Sequence, residues 1–459
     1  MPIRSIAGTD AQYYLLSFDE HGSERPESNG ILLSDVVRNK IADPNEAITD
    51  VFFASHGWKG DVAAAIEQYD KWVGEMARSA DREAAHTARP GFRGIVVGLH
   101  WPSLPFGDES QPADQADGGL LGADDESEID VQVAQYAASI ADTPKAREAI
   151  RTILLADRED DGSSKTLPDD VRDAYQTLYD EAGLDGGDGD PGAPPGADRE
   201  SFDPDAIYGV ARAAAAADEA EAEGGGVLGG GFFDKLKGLV VAPLQQLSFW
   251  KMKDRARAIG ESGAHALLVR LMKAARPETR FHLMGHSFGC IVVSATVAGA
   301  PGGEKLPRPV DSLFLVQGAL SLWSYCPDIP MAHGTAGYFN RTLKEGLVRG
   351  PIVTTRSRFD SAVGKLYPTA VKLKDQFVLA DELPKFGGIG TFGAQGLGTL
   401  AVDREMGAAD IDYGFQNGRV YNLDANGVIK NGGGFSGAHS DIAHPEVAHV
   451  MWQAALTPP

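Results

Sequence analysis

Apolar residues along this chain fall into two alternating kinds of run. Val51-Phe52-Phe53-Ala54-Ser55, Ile95-Val96-Val97-Gly98-Leu99-His100, Phe281-His282-Leu283-Met284, Leu313-Phe314-Leu315-Val316 and Ile352-Val353-Thr354-Thr355 are short and nearly continuous. That pattern suits strands buried on both faces of a parallel sheet. Between them the spacing turns helical. After Asp61, a candidate N-cap, apolar residues recur at Ile66, Tyr69, Trp72, Val73 and Met76. Residues 249–276 predict one long helix, with Trp250, Ile259, Leu267, Leu268, Leu271 and Met272 facing inward and Pro277 stopping it. Pro445-Glu446 predicts the opening of a terminal helix that packs through Val447, Val450 and Met451. Residues 11–19 and the stretch around Ile31-Leu32-Leu33 read as edge or antiparallel strands, and Arg419–Leu423, ahead of Asn426-Gly427, as a hairpin-like piece. Strands alternating with helices imply βαβ crossovers, hence an α/β protein with a mainly parallel central sheet and helices on both faces. No internal repeat is present.

The alternation breaks between Leu104 and Leu247. Helices are expected near 127–156 and 168–183. They are followed by a Gly/Pro/Asp-rich tract at 183–198, alanines at 213–217 and a glycine cluster at Gly224–Gly231, composition expected to give flexible connections. Charge separates this segment from the rest. The chain's net charge is −23, and residues 104–245 carry 32 acidic and 10 basic side chains against 33 and 32 elsewhere. A block of acid argues against nucleic acid as a partner, because phosphate backbones are met by Lys and Arg clusters. The apolar patches Ile207-Tyr208, Val227-Leu228, Phe232-Phe233 and Leu236–Val241 do not fit a wholly solvated linker and suggest a cap or lid. The expected organisation is a core in two parts, 1–103 and 248–459, interrupted by an acidic, partly flexible insertion at 104–247.

At 459 residues and 43% hydrophobic content the chain can bury a large core. No run of apolar residues is long enough to span a membrane, and the start, Met1–Gly8, has no apolar secretory core, so a cytoplasmic location is expected. Two cysteines, Cys290 and Cys326, exclude a disulfide framework or a cysteine-rich zinc site. Cys290 reads as a packing residue.

Candidate chemistry centres on Gly285-His286-Ser287-Phe288-Gly289, where a strand-like run gives way to a helix-like one. In a G-x-S-x-G turn the serine oxygen is lifted clear of the sheet, and only small residues at the flanking positions tolerate the close backbone approach. A nucleophilic serine also needs a base, an acid that orients the base, and donors for an oxyanion. Asp360, in the loop after Ile352–Thr355, is the expected acid, with Asp328, Asp381 and Glu382 as rivals. His439, in Gly437-Ala438-His439-Ser440, is the expected base, with His444 and His449 as rivals. The backbone N–H groups of Phe288 and Trp58 are the expected oxyanion donors. His56 reads as an orienting hydrogen-bonder, and His56, His100, Trp101 and His286 as candidate lining of a substrate pocket.

The succession Ser55-His56-Gly57-Trp58, His100-Trp101-Pro102-Ser103, Gly285–Gly289, Asp360 after a strand and Gly437–Ser440 resembles an α/β-hydrolase of the serine esterase and lipase type, and a bacterial branch of largely unassigned activity. It covers about 50–103 and 249–459. The resemblance implies the α/β-hydrolase fold with the acidic insertion as cap, and a serine hydrolase cleaving a carboxylic ester, thioester or amide with no metal or organic cofactor. A small-molecule or lipid ester would be the partner. Two other readings stand beside it: a lipase or phospholipase with an interfacial lid, and a non-catalytic binding protein on the same fold. The acidity weighs against the lid reading, because anionic lipid surfaces attract basic segments. Membrane contact is not implied, and the oligomeric state is open. No H-E-x-x-H, no G-x-x-x-x-G-K-[ST] and no strand-linked G-x-G-x-x-G is present.

Overall fold

The computed structural model describes residues 3–57, 62–103, 125–160, 163–184, 189–222, 238–360, 383–432 and 437–458. The chain divides into two compact units, one of residues 1–103, 190–198 and 253–459, the other of 104–189 and 199–252.

The first unit is built on a nine-stranded sheet. Its strands are β1 (Ile3–Ser5), β2 (Gln12–Ser17), β3 (Asp50–Ser55), β4 (Gly94–His100), β5 (Arg280–His286), β6 (Ser312–Val316), β7 (Ile352–Arg356), β8 (Ala401–Glu405) and β9 (Val420–Asp424). The order is β1-β2-β4-β3-β5-β6-β7-β9-β8, and every neighbouring pair is parallel except β1 with β2. This is an α/β architecture. The continuous apolar runs predicted for burial are the central strands, and β3 and β6 are buried at every position. Alternate residues feed two layers. Phe52, Ala54, Met284, Phe314, Val316 and Val353 pack with Tyr69, Trp72, Val73 and Met76 of the helix Val62–Arg78 and with Val447, Val450, Met451 and Trp452 of the helix Pro445–Leu456. The helix Gly289–Ala298 follows β5 and is buried along nearly its whole length, as its all-round apolar sequence requires.

Several local readings change. Residues 12–17 form β2, antiparallel to β1 as expected but not at the edge, since its other side pairs parallel with β4. Ile31–Leu33 is not a strand but leads into a helix, Leu33–Ala42, which buries Leu33, Val37 and Ile41 at a spacing of four. Residues Arg419–Leu423 form no hairpin: β9 lies between β7 and β8, parallel to both. The helix expected over 249–276 starts earlier, at Ala242, and runs to Ala274 through a π turn at Gly260–Ala264. There Gly260 passes so close to the helix Gly289–Ala298 that an added Cβ would lie 2.6 Å from the Val292 carbonyl.

In the second unit the stretch expected to be helical near 127–156 is two helices, Asp125–Ser139 and Pro144–Glu159. Thr143 caps the second by accepting from the Ala146 N–H, with Pro144 in its first turn. Asp169–Glu181 follows, and Ile150, Ile153, Val171, Tyr175 and Leu178 are buried between these helices. The alanine run lies in a helix, Pro204–Ala222. Residues 190–198, expected to be a flexible connection, pack in the first unit, where Asp198 meets the fully buried Lys253 at 2.6 Å. Gly224–Gly231 and Phe232-Phe233 lie outside the described residues. No described helix is long and apolar enough to cross a membrane.

Candidate active site

From β3 the chain moves to β4 on one side and then to β5 on the other, which makes the carboxyl ends of β3 and β5 a switch point. Open α/β sheets bind their ligands at such crevices. The Gly285–Gly289 turn leaves β5 there. Ser287 has φ +58, a left-handed conformation rare for a residue with a side chain, which stores on the order of 1–3 kcal/mol of strain. Three backbone bonds hold it: Ser287 N–H donates to the Val316 carbonyl at 3.1 Å, and its own carbonyl accepts from Ala319 at 3.2 Å and from Cys290 at 3.1 Å. The flanking glycines are sterically required. A Cβ on Gly289 would lie 2.1 Å from the Ser55 carbonyl oxygen, and one on Gly285 would lie 2.4 Å from the Gly289 carbonyl oxygen. Phe288 has helical φ and ψ directly ahead of the helix Gly289–Ala298.

Asp360, four residues past β7, is fully buried. Its loop joins the loop that carries His439 through an antiparallel bridge between Asp360 and Gly437, and Ala438 N–H donates to the Phe359 carbonyl at 2.8 Å. That pairing brings the imidazole to the acid, with His439 Nδ1 at 2.8 Å from Asp360 Oδ2. The bond puts the proton on Nδ1 and leaves Nε2 as the basic nitrogen. Among the described residues no hydrogen bond closes between Ser287 Oγ and His439, a contact that in enzymes without substrate is often long. The rival histidines are engaged elsewhere: His444 with Asp441 at 2.8 Å, and His449 with Asp81 at 2.8 Å and the Ile411 carbonyl at 2.7 Å. Asp328 binds the Gly334 N–H in a surface turn. Asp381 and Glu382 lie outside the described residues.

His286 belongs to the base. It is buried, accepts at Nδ1 from Gln68 at 2.6 Å and donates from Nε2 to the His439 carbonyl at 2.9 Å, with the two rings 4.9 Å apart. His56 directly follows β3 and is fully buried. Its ring stacks on Trp101 at 5.7 Å, its Nδ1 donates to the Gly57 carbonyl at 2.7 Å, and its Nε2 meets His100 Nδ1 at 3.2 Å. Burial, reinforced by His100, pushes the His56 pKa down to about 3, although the Gly57 carbonyl favours the charged form. The ring is therefore neutral and is not a general base. His56 and Trp101 are fully buried and His100 nearly so, and the three rings stack into a shelf at the carboxyl ends of β3 and β4. Tyr69 fixes that shelf by accepting from His56 N–H at 2.9 Å while its hydroxyl faces the Ala54 and Leu99 carbonyls. The loop after β3 then reaches the elbow, where a Cβ on Gly57 would lie 2.6 Å from Ser287 Cβ. Trp58 lies outside the described residues.

Sequence reasoning passed over Gln317. It follows β6 directly, is fully buried, has φ +48, and donates from Nε2 to Asp360 Oδ2 at 3.0 Å. The readable signal was a polar residue closing the apolar run Leu313–Val316 at a strand's carboxyl end. Cys290, also buried, has its thiol pKa pushed well up by burial and lies against the Gly285 carbonyl, as a packing residue does. Among the described residues no group of three or more His, Cys, Asp or Glu side chains is placed to hold a metal ion. Comparisons with protein-family models, curated proteins and solved structures return no match.

Proposed function

We infer that this protein is a serine hydrolase of the α/β-hydrolase fold that cleaves a carboxylic ester through an acyl-enzyme. Thioesters and amides would follow the same route with other leaving groups. One observation carries the reading. Ser287 is held in a left-handed turn between β5 and a helix, at the sheet end where Asp360 and His439 pair at 2.8 Å. Ordinary packing gives no reason to maintain strain at a serine that is buried and yet makes no side-chain hydrogen bond among the described residues, whereas a nucleophile elbow does.

In this reading Ser287 Oγ attacks the ester carbonyl while His439 Nε2 takes its proton. Asp360 keeps the imidazole in the correct tautomer and stabilises the imidazolium. The tetrahedral oxyanion is met by the Phe288 N–H and by an N–H of the loop after β3, for which Trp58 is our assignment. Collapse expels the alcohol, which receives the proton from His439. Water, activated by the same nitrogen, then frees the acid and restores the serine. Every proton and electron pair is accounted for by these groups. The acidic segment, with its own buried helical core, fits a cap better than a solvated linker.

Acid-quenched mixtures with p-nitrophenyl acetate, examined by intact mass and peptide mapping, test the scheme. The expected result is an acetyl adduct on the Ser287 peptide. Turnover that persists undiminished in Ser287→Ala, with no adduct, overturns it.

A further inference from the structure

We propose that Gln317 is a positioning residue for the catalytic acid, and that the turn Val316–Ala319 couples the nucleophile to that acid. The inference rests on the serine-hydrolase reading and adds to it a member that the Ser-His-Asp set does not contain. The amide's orientation is fixed by its neighbours. Gln317 N–H donates to Thr355 Oγ1 at 2.9 Å, which turns the hydroxyl's own hydrogen toward Gln317 Oε1, also at 2.9 Å. The Nε2 end must therefore face Asp360, and it donates to Oδ2, the same oxygen that receives His439 Nδ1–H. Two donors converging on one oxygen fix the carboxylate's rotation and hence the plane of the imidazole.

Chemistry explains why an amide suits this position. Arg or Lys here would donate equally well but would bring a positive charge that competes with the imidazolium formed during the reaction. A neutral donor orients the carboxylate and leaves its whole charge for His439. The flanking residues hold the other partner: Val316 and Ala319 take the Ser287 N–H and carbonyl. Gly390 closes the assembly, donating to the Gly318 carbonyl at 2.9 Å and accepting from Ser357 N–H at 2.8 Å. The left-handed φ at Gln317, like that at Ser287, is a strain that the surroundings over-determine. Among the described residues, Asp360 is the titratable group bonded to this amide, and His439 is joined to it through Asp360.

The test compares Gln317→Leu and Gln317→Glu with the wild type in kcat and KM across pH, with thermal midpoints checked in parallel. Gln317→Leu should lower kcat by about ten- to a hundredfold with KM little changed, the cost of one hydrogen bond to a charged group. Gln317→Glu should keep more activity at low pH, where a protonated glutamic acid donates as the amide does. It should lose that activity as pH rises and two carboxylates face each other, giving an alkaline fall that the wild type lacks. Wild-type kcat in Gln317→Leu, or the same pH profile in both variants, overturns the proposal. The far-downfield proton resonance of His439 Nδ1–H gives a readout independent of turnover. It should shift or broaden in Gln317→Leu, and an unchanged signal contradicts the role. If the wild type neither turns over esters nor takes up a serine-directed label, the hydrolase reading fails, and this resonance still decides whether Gln317 orients the pair.

Discussion

Two groups of Ser, His and Asp lie at opposite ends of the same sheet. Ser287, His439 and Asp360 gather beyond the carboxyl ends of β5 and β7, whereas Ser312, His282 and Asp50 lie at or near the amino ends of β6, β5 and β3. The lower set has the better-made bonds: His282 Nδ1 is 2.9 Å from Ser312 Oγ, and Nε2 is 3.1 Å from Asp50 Oδ1. It is nonetheless a structural cluster. Ser312 and His282 sit at regular ladder positions opposite each other, and Ser312 Oγ is committed to the His282 ring. Burial alone would raise the Asp50 pKa, but His282, Arg89 and Thr49 hold it below the usual value. At the upper end the serine is strained, its Oγ makes no hydrogen bond among the described residues, and a helix begins beside it. The difference teaches that residue types and hydrogen bonds do not make a nucleophile. Under the proposed reading, what marks Ser287 out is its left-handed backbone and an Oγ without a committed partner among the described residues.

The largest expected effect separates the two serines. Ser287→Ala should cut kcat on an activated ester by about a millionfold, as removal of a triad nucleophile does. Ser312→Ala should leave kcat unchanged, and a large loss there would erase the distinction. Next comes the acid. Asp360→Asn, which can stabilise the wrong imidazole tautomer, should cost about ten-thousandfold in kcat, whereas Asp50→Asn should act on the denaturation midpoint rather than on turnover.

His56 sharpens the comparison because it stands at the upper end yet behaves like the lower cluster. Its pKa is about 3 in the folded protein against 6.5 when unperturbed. Between those values the unfolded chain binds the proton that the folded one refuses, so stability falls as pH drops below 6.5. The loss amounts to about 2 kcal/mol by roughly pH 5. Denaturant titrations of wild type and His56→Gln should diverge by this amount on acidification, and parallel curves would contradict the assignment. The smallest effect is that of Ser312→Ala on stability, about 1 kcal/mol for one buried hydrogen bond.

Much of the sheet was legible because the central strands are buried on both faces and need continuous apolar runs. The edge was not: β8, Ala-Val-Asp-Arg-Glu, is largely exposed and carries no such signal. Leu33–Ala42 starts at Leu32 without a side-chain cap, so its entry looked like strand although Leu33, Val37 and Ile41 carried the helical spacing. Asn426-Gly427 suggested a hairpin, but the partners of β9 are β7 and β8 and not its neighbour across that turn. The order at 190–198 depends on Lys253, more than fifty positions beyond Asp198, and composition cannot report such a pairing. In the site, the elbow spacing led to a serine held in a left-handed turn, and the chain order of acid and base led to two residues that pair at 2.8 Å. The stacking of His56 on His100 and Trp101 and the contact of Gln317 with Asp360 depend on side chains from distant segments. Those were beyond the reach of local pattern.

Fluorophosphonate labelling of wild type, Ser287→Ala and Ser312→Ala, with adducts located by peptide mapping, tests the central claim most directly. The account predicts one adduct on Ser287 in the wild type and in Ser312→Ala, and none in Ser287→Ala. Equal labelling of all three proteins, or an adduct that maps to another serine, would contradict it.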